Sequence, residues 1–317
     1  MRLLITRKLP DPVLQAARVR LDVTVRDSTA PMTHDDCVAA LRDFDAVLPT
    51  LGDAFRAEAF AAVPRSRCRL LANFGVGYNH IDVAAAKAAG VAVTNTPGAV
   101  TDATADIAMM LVLMSARRAS EGERLVRAGR WEGWHPTQML GLHVTGKTLG
   151  IVGMGRIGKA IARRAHLGFG MPIIFFSRSP GTDAGVPARQ LATLHEVLAA
   201  SDIVVVAVPG GAATHHIIDA AALAAMRPHA HLINISRGDT VDEAALIEAL
   251  EARRIGGAGL DVYEREPLVS ERLRALDNVT LLPHLGTAAL EVRTAMGMMA
   301  VENLIAFAEG RALRNAV

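Results

Sequence analysis

Cysteine is scarce: the 317 residues hold two, Cys37 and Cys68, with no Cys-x-x-Cys pair and no cysteine-histidine cluster at ligand spacing. That excludes a disulfide framework and a metal site of the zinc type, and fits a reducing cytoplasm. Net charge is nearly absent, with 34 Lys and Arg against 32 Asp and Glu for +2. A broad electrostatic footprint for nucleic acid or anionic lipid is therefore excluded, although small anions can still be bound locally. No uncharged apolar run reaches the length of about 18 residues that a membrane span needs. The N-terminal "MRLLITRKLP" is too short an apolar run for a signal peptide and reads as a first buried strand.

What is present is apolar and ordered. Hydrophobic residues make up 51% and charged residues 21%, and the 27 glycines are dispersed, a globular composition. A chain of 317 residues exceeds the roughly 250 to 300 at which single cores stop growing, so two domains are expected. Short apolar runs alternate with helical patterns: "LLIT", "DPVLQAAR", "LDVTV", "THDDCVAALRDF", "DAVLP", "RLLANFGVG", "DVAAAKAAG" and "VAVTNTPG". Fully apolar strands separated by helices imply a parallel sheet covered on both faces.

Residues 101–128 read as one long helical stretch, apolar nearly all round in its middle, which requires burial on more than one side, either between domains or against a second subunit. A second sheet begins at Leu149 and is predicted to hold six strands: "LGIV", "IIFFS", "DIVVVAVP", "HLINIS", "GAGLDV" and "NVTLLP". Capping boxes at Thr193/Glu196 and Thr240/Glu243, and Asp219, mark helix starts there. The tail from Leu290 is one amphipathic helix that packs back on the first sheet, making the N-terminal domain discontinuous. The expected architecture is α/β, two doubly wound parallel-sheet domains. One is a Rossmann-type dinucleotide-binding domain over 99–287, the other a smaller flavodoxin-like substrate domain over 1–98 and 288–317. Hinges are expected near 97–101 and 285–289.

Gly153, Gly155 and Gly158 follow the strand "LGIV" and open the helix "RIGKAIARRAHLG", the context that gives Gly-x-Gly-x-x-Gly its meaning. The first glycine makes the tight turn, the second admits a pyrophosphate and the third lets helix touch strand. The helix N-terminus supplies free N–H groups and partial positive charge, to which Arg156 adds a full one. About 20 residues on, an NAD site ends its second strand in a carboxylate for the ribose 2′-hydroxyl. Here that position reads Ser177-Arg178-Ser179, and Asp183 lies too far into the loop. A guanidinium flanked by hydroxyls suits a 2′-phosphate, so NADPH is expected over NADH.

Three later stretches end strands of the second sheet: "INISRGDTVDE", "GLDVYEREPL" and "LLPHLGTA". Ligands of open parallel sheets bind beyond the carboxyl ends of the strands, which brings Arg237, Asp261, Glu266 and His284 toward one place. An arginine, a glutamate and a histidine on three separate strand ends form one suggestive set. In the other sheet, Gly75 and Gly77 allow the loop "NFGVGYN" to turn its N–H groups toward an anion. Leu51-Gly52 ends another strand of that domain.

With "NFGVGYNHID", "GKTLGIVGMGRIG", "LINISRGDTVDE", "GLDVYEREP" and "LLPHLGTA", the chain resembles the D-isomer-specific 2-hydroxyacid dehydrogenases over essentially its whole length. Within them it is most like the glyoxylate/hydroxypyruvate reductases that use NADPH. The resemblance implies reduction of a 2-keto acid, which needs a cation for the carboxylate, an acid for the developing alkoxide and a hydride donor in contact. It implies catalytic roles for Arg237 as that cation, for His284 as the acid, an unperturbed imidazole titrating at about 6.5, and for Glu266, which orients the ring and favours its charged form; Asp261 falls on the nicotinamide side. Val76 and Gly77 are then the expected substrate-carboxylate donors, and Leu51-Gly52 shapes the substrate wall. It implies a coenzyme set of Met154, Ile157, Val208, Pro209, Thr214, Ile235, Ser236, Arg237, Asp261, His284 and Gly286 beside the glycine turn and residues 177–179. It also implies a homodimer, with Trp134 reaching toward the partner subunit. Two alternatives stand beside this reading: an NAD-dependent D-2-hydroxyacid dehydrogenase of another substrate, and a nucleotide-sensing protein like the corepressors that resemble this family.

Overall fold

The computed structural model describes residues 1–317, which form two compact units, residues 1–100 with 287–317 and residues 101–286. The first holds five parallel strands, β1 (Arg2–Ile5), β2 (Asp22–Val25), β3 (Ala46–Leu48), β4 (Leu70–Ala72) and β5 (Ala92–Thr94), in the order β2-β1-β3-β4-β5. Helices α1 (Asp11–Arg18), α2 (His34–Asp43), α3 (Ala57–Ala61) and α4 (Val83–Ala88) connect them. β3 and β4 are buried at every residue, as strands covered on both faces must be.

The second unit opens with α5 (Thr101–Ala116) and α6 (Ala119–Arg127), so the single long helix expected over 101–128 is broken. The break goes with a contact from farther along the chain. The Ala116 carbonyl accepts the N–H of Leu142 at 2.8 Å, leaving it no role in continuing the helix, and Arg118 turns into the left-handed region at φ 55°. Within its own unit α5 packs on the sheet and on the helix after the first strand, with Ala105, Ala108, Leu111, Val112 and Ala116 in the main core. That accounts for its all-round apolar character.

The second sheet has seven strands rather than six: β6 (Leu149–Val152), β7 (Ile173–Phe176), β8 (Ala188–Gln190), β9 (Ile203–Val206), β10 (His231–Asn234), β11 (Gly257–Leu260) and β12 (Val279–Leu281). Their order is β12-β11-β10-β9-β6-β7-β8, all parallel, with the order reversing between β6 and β9. The unexpected β8, "ARQ", is an edge strand with no buried residue, so it carries none of the apolar signal by which strands are read. Helices α7 (Arg156–Phe169), α8 (Leu194–Ala200), α9 (Ala220–Ala224), α10 (Glu243–Glu251) and α11 (Glu271–Arg274) link the strands. The Thr193/Glu196 capping box and the Asp219 cap are both formed. The Thr240/Glu243 box is not. Asp242 caps α10 through the Ala245 N–H, while the Thr240 hydroxyl donates to the Arg237 carbonyl at 2.6 Å in a 3-10 turn spanning Gly238–Thr240. Asp is at least as good an N-cap as Thr, and it stands at the true helix start.

The last helix, α12 (Leu290–Ala308), returns to the first unit and packs on α1 and β4. Ala300, Val301 and Leu304 join Leu3, Ile5 and Leu48 in one core, where each fully buried Leu or Val side chain contributes about 1.5–3 kcal/mol. A side chain at Gly297 would meet Val13 Cγ2 at 2.5 Å, so the two helices cross at glycine contact. No helix is long and apolar enough to cross a membrane.

Candidate active site

The turn between β6 and α7 is tight and leaves its backbone open. Gly153 has φ 100°, and a side chain there would strike Ala207. A Cβ at Gly158 would lie 2.2 Å from the Gly153 carbonyl oxygen, fixing helix against turn, whereas one at Gly155 would meet nothing within 4 Å. The middle glycine thus leaves its backbone approachable. Gly155 is the N-cap of α7 and no side chain caps the helix, so the first-turn N–H groups face outward with the positive end of the helix dipole. These features fit a dinucleotide pyrophosphate. Met154 and Ile235 direct their side chains into the core, which leaves their main chain for any ligand.

At the end of β7, Ser177 is half-buried and Arg178 and Ser179 are exposed. The turn is held from behind, with Gln190 Nε2 donating to the Ser177 and Ser179 carbonyls at 3.1 and 2.9 Å. Arg178 makes no ion pair or hydrogen bond. Asp183, the nearest acid in sequence, lies 3.8 Å from Lys159 Nζ. Beyond β9, the buried Thr214 donates its hydroxyl to the Pro209 and Gly211 carbonyls at 2.6 and 3.1 Å, and Ser236 donates to the Val208 carbonyl. Both hydroxyls therefore brace the loops.

The turns that follow β11 and β12 meet at His284. Its Nδ1 lies 2.8 Å from Glu266 Oε2, both side chains being 29% exposed, and Glu266 Oε1 accepts the Tyr263 N–H at 3.1 Å. Burial pushes the Glu266 carboxyl upward, but the His284 hydrogen bond and charge, the Tyr263 N–H and the Arg237 charge outweigh it and hold the carboxyl below its ordinary value. The half-buried Arg237 has its guanidinium pKa pulled down by burial and partly restored by Glu266 and Asp239; starting as high as arginine does, it stays charged.

Asp261 is fully buried and both its oxygens are committed, Oδ1 to the Leu285 N–H at 2.6 Å and Oδ2 to the Gly286 N–H at 2.8 Å. Its carboxyl is pushed up by burial, against those two hydrogen bonds and His284. Placed by resemblance on the nicotinamide side, it is seen here clamping the turn that holds His284 in the left-handed region, φ 54°.

Asn234 is a residue that sequence reasoning misses. Its Nδ2 donates to the Arg237 carbonyl at 2.9 Å and its Oδ1 accepts the Ser236 N–H at 3.1 Å, which shapes the Arg237 turn. Its place just before "ISRG" at a strand end is the available signal. Gly238 escapes as well: a Cβ there would sit 1.8 Å from the Tyr263 carbonyl carbon, so the Arg237 turn and the Tyr263–Glu266 turn meet backbone to backbone.

In the first unit, the loop after β4 carries Gly75, Val76 and Gly77, all half-buried. After β3, Leu51 and Gly52 are exposed, and the Leu51 carbonyl accepts from Arg7 Nη1 at 2.8 Å. No group of three or more acidic, cysteine or histidine side chains is arranged to hold a metal ion.

Residues 109–286 match the sequence profile of the D-isomer-specific 2-hydroxyacid dehydrogenase NAD-binding domain. A glyoxylate reductase of Thermococcus onnurineus is 44% identical over 315 residues, covering 98% of this chain and 93% of the relative. One of Pyrococcus furiosus is 42% identical over 314 residues, with the same coverage of 98% and 93%. Among solved structures, an NADPH-dependent glyoxylate/hydroxypyruvate reductase of Sinorhizobium meliloti, in complex with NADP and malonate, superposes with a TM-score of 0.86 at 38% identity. That match covers 100% of this chain and 96% of the other. Matches that span both units at this identity leave one conclusion: the chain belongs to the D-isomer-specific 2-hydroxyacid dehydrogenase family, with an NAD(P)-binding domain.

Proposed function

We propose that this chain reduces a small 2-keto acid, glyoxylate or hydroxypyruvate, to the D-2-hydroxy acid, with NADPH as the preferred coenzyme. The observation that carries the reading is the His284–Glu266 contact of 2.8 Å. A carboxylate held ionised accepts from Nδ1, so Nδ1 carries a hydrogen and Nε2 is the ring atom left to hand a proton on. As the ketone is reduced, charge develops on its oxygen; the imidazolium donates its Nε2 proton there, and Glu266 stabilises the cation beforehand. Arg237 pairs with the substrate carboxylate and polarises the carbonyl. The N–H groups of Val76 and Gly77 are further carboxylate donors, and Leu51 bounds the substrate.

The turn Gly153–Gly158 and the first turn of α7 are the residues that would hold the pyrophosphate, with Ser177, Arg178 and Ser179 at a 2′-phosphate and Val208, Pro209 and Thr214 along the adenosine to nicotinamide path. When bound, the coenzyme supplies the hydride. The absence of an acidic residue at the end of β7 and the unpaired Arg178 support NADPH over NADH, as does the NADPH dependence of the S. meliloti relative.

Two thiols, both buried and free, suit the cytoplasm. Val126, Trp131, Trp134 and Leu140 all lie exposed, Trp134 at 79%, and a second copy of the chain is the proposed cover for this apolar set. Initial rates of coenzyme oxidation with glyoxylate and with hydroxypyruvate test the function. Turnover with a kcat/KM favouring NADPH is expected, whereas tight NADPH binding without turnover would establish a sensor instead.

A further inference from the structure

The loop that follows β4 is held in an unusual way: its carbonyls are tied down by side chains. Asn73, fully buried at the end of β4, donates from Nδ2 to the Gly75 carbonyl at 3.0 Å and to the Gly77 carbonyl at 3.1 Å. Asn95, at the end of the neighbouring β5, donates from Nδ2 to the Val76 carbonyl at 2.9 Å. The Thr96 N–H adds a second bond to the Gly75 carbonyl at 3.1 Å. Three consecutive carbonyls are thereby bonded inward, and the N–H groups of Val76 and Gly77 donate to nothing in the chain.

The orientation of the Asn73 amide is fixed by its other end. Since Nδ2 faces two carbonyls, Oδ1 is the acceptor, and the buried His80 Nε2, 3.0 Å away, must bring the hydrogen. A buried amide with all its hydrogen bonds made is costly to rotate, because each group left unpaired would stay desolvated with no partner.

We infer that Asn73 and Asn95, with His80 behind Asn73, are positioning residues that hold the Gly75–Gly77 loop with its N–H groups preset for the substrate carboxylate. The inference rests on the proposed reading of Val76 and Gly77 as carboxylate donors. An anion site of backbone N–H groups is effective when those dipoles need no reorganisation on binding. Glycine at 75 and 77 makes this loop free to turn the other way, and the two amides remove that freedom. A two-asparagine brace on the carbonyl side is what converts a flexible glycine turn into an oriented one.

The isosteric variants Asn73→Asp and Asn95→Asp remove the N–H donors but add a negative charge, so the neutral, similar-sized Asn73→Leu and Asn95→Leu, which remove the donors without a charge, are measured beside them and must show the same change. Each should raise KM for glyoxylate about 10- to 100-fold, with kcat, the Kd for NADPH and Tm close to wild type, and should raise Ki for oxalate in parallel. Should the Asn73 variants fail to fold, those at the half-buried Asn95 carry the test alone. In the wild-type enzyme saturated with NADP+, the backbone 15N–1H signals of Val76 and Gly77 are followed as oxalate is added. If they do not move, the carboxylate reading of the loop fails and this inference with it. If they move while the variants keep wild-type KM and Ki, the brace alone is refuted. A joint collapse of kcat, NADPH affinity and Tm would assign the asparagines a merely structural part and overturn the inference.

Discussion

Two carboxylates govern His284, and they do different jobs. Glu266 faces the ring and is ionised; Asp261 takes the backbone N–H groups of Leu285 and Gly286 and sets where the ring stands. Because Glu266 titrates below its ordinary value in the folded chain, its contribution to stability is complete above the normal carboxylate range. It is lost as pH falls through the lowered value. The same carboxylate holds the ring through its Nδ1. Glu266→Gln keeps the shape and removes the charge, so kcat for glyoxylate reduction should fall about 10- to 100-fold while the Kd for NADPH stays close to wild type. Initial rates check this, and an unchanged kcat would remove Glu266 from the proton-transfer step. Arg178, exposed and unpaired, makes a separate prediction. Arg178→Ala should raise KM for NADPH about 10-fold or more, the loss of a charge-assisted contact, and leave NADH nearly unaffected. Equal losses for the two coenzymes would refute the 2′-phosphate assignment.

Gly238 and His231 show how elements hold one another in register. With no Cβ at 238, the 3-10 turn after β10 lies against the backbone of Tyr263–Glu264. Gly238→Ala must part the two turns and so separate Arg237 from Glu266. A displacement near 1 Å costs about 100-fold in rate, so kcat should fall by that order while NADPH binding at the β6–α7 turn persists; a variant with wild-type kcat would contradict the packing account. On β10, His231 is buried against α5, its Nδ1 2.8 Å from Ser115 Oγ, and burial, helped by the His229 charge, lowers its pKa from 6.5 to about 4. The unfolded chain then binds the extra proton between those values. Stability from the neutral ring is full above pH 6.5 and declines toward pH 4, by on the order of 3 kcal/mol in all. Denaturant unfolding from pH 7 to pH 4 should show a shallower decline for His231→Gln; an identical slope would show that the ring does not carry the loss.

These elements also mark what sequence reveals. Buried parallel strands announce themselves as continuous apolar runs, so β6, β9 and β10 are legible, while the exposed edge strand β8 is not. The end of α5 is hidden because a chain segment 26 residues on, at Leu142, takes the Ala116 carbonyl.

At the scale of the molecule, two units, each around one parallel sheet, are built from three stretches of chain, the last returning through α12 to the first unit. Parallel sheets gather ligand-binding groups at the carboxyl ends of their strands. That rule makes Arg237, Glu266 and His284 readable as a set from sequence alone, and the structure brings Glu266 and His284 into contact. The supporting amides Asn73, Asn95 and Asn234 and the clamp by Asp261 are not readable as such, because the bonds they make depend on which backbone groups tertiary packing leaves nearby. The central claim is that His284 supplies the proton for keto-acid reduction, and His284→Ala tests it most directly. With glyoxylate and NADPH, kcat should fall about 100- to 10,000-fold while NADPH affinity, read by nicotinamide fluorescence, stays within about threefold of wild type; turnover near the wild-type rate would contradict it.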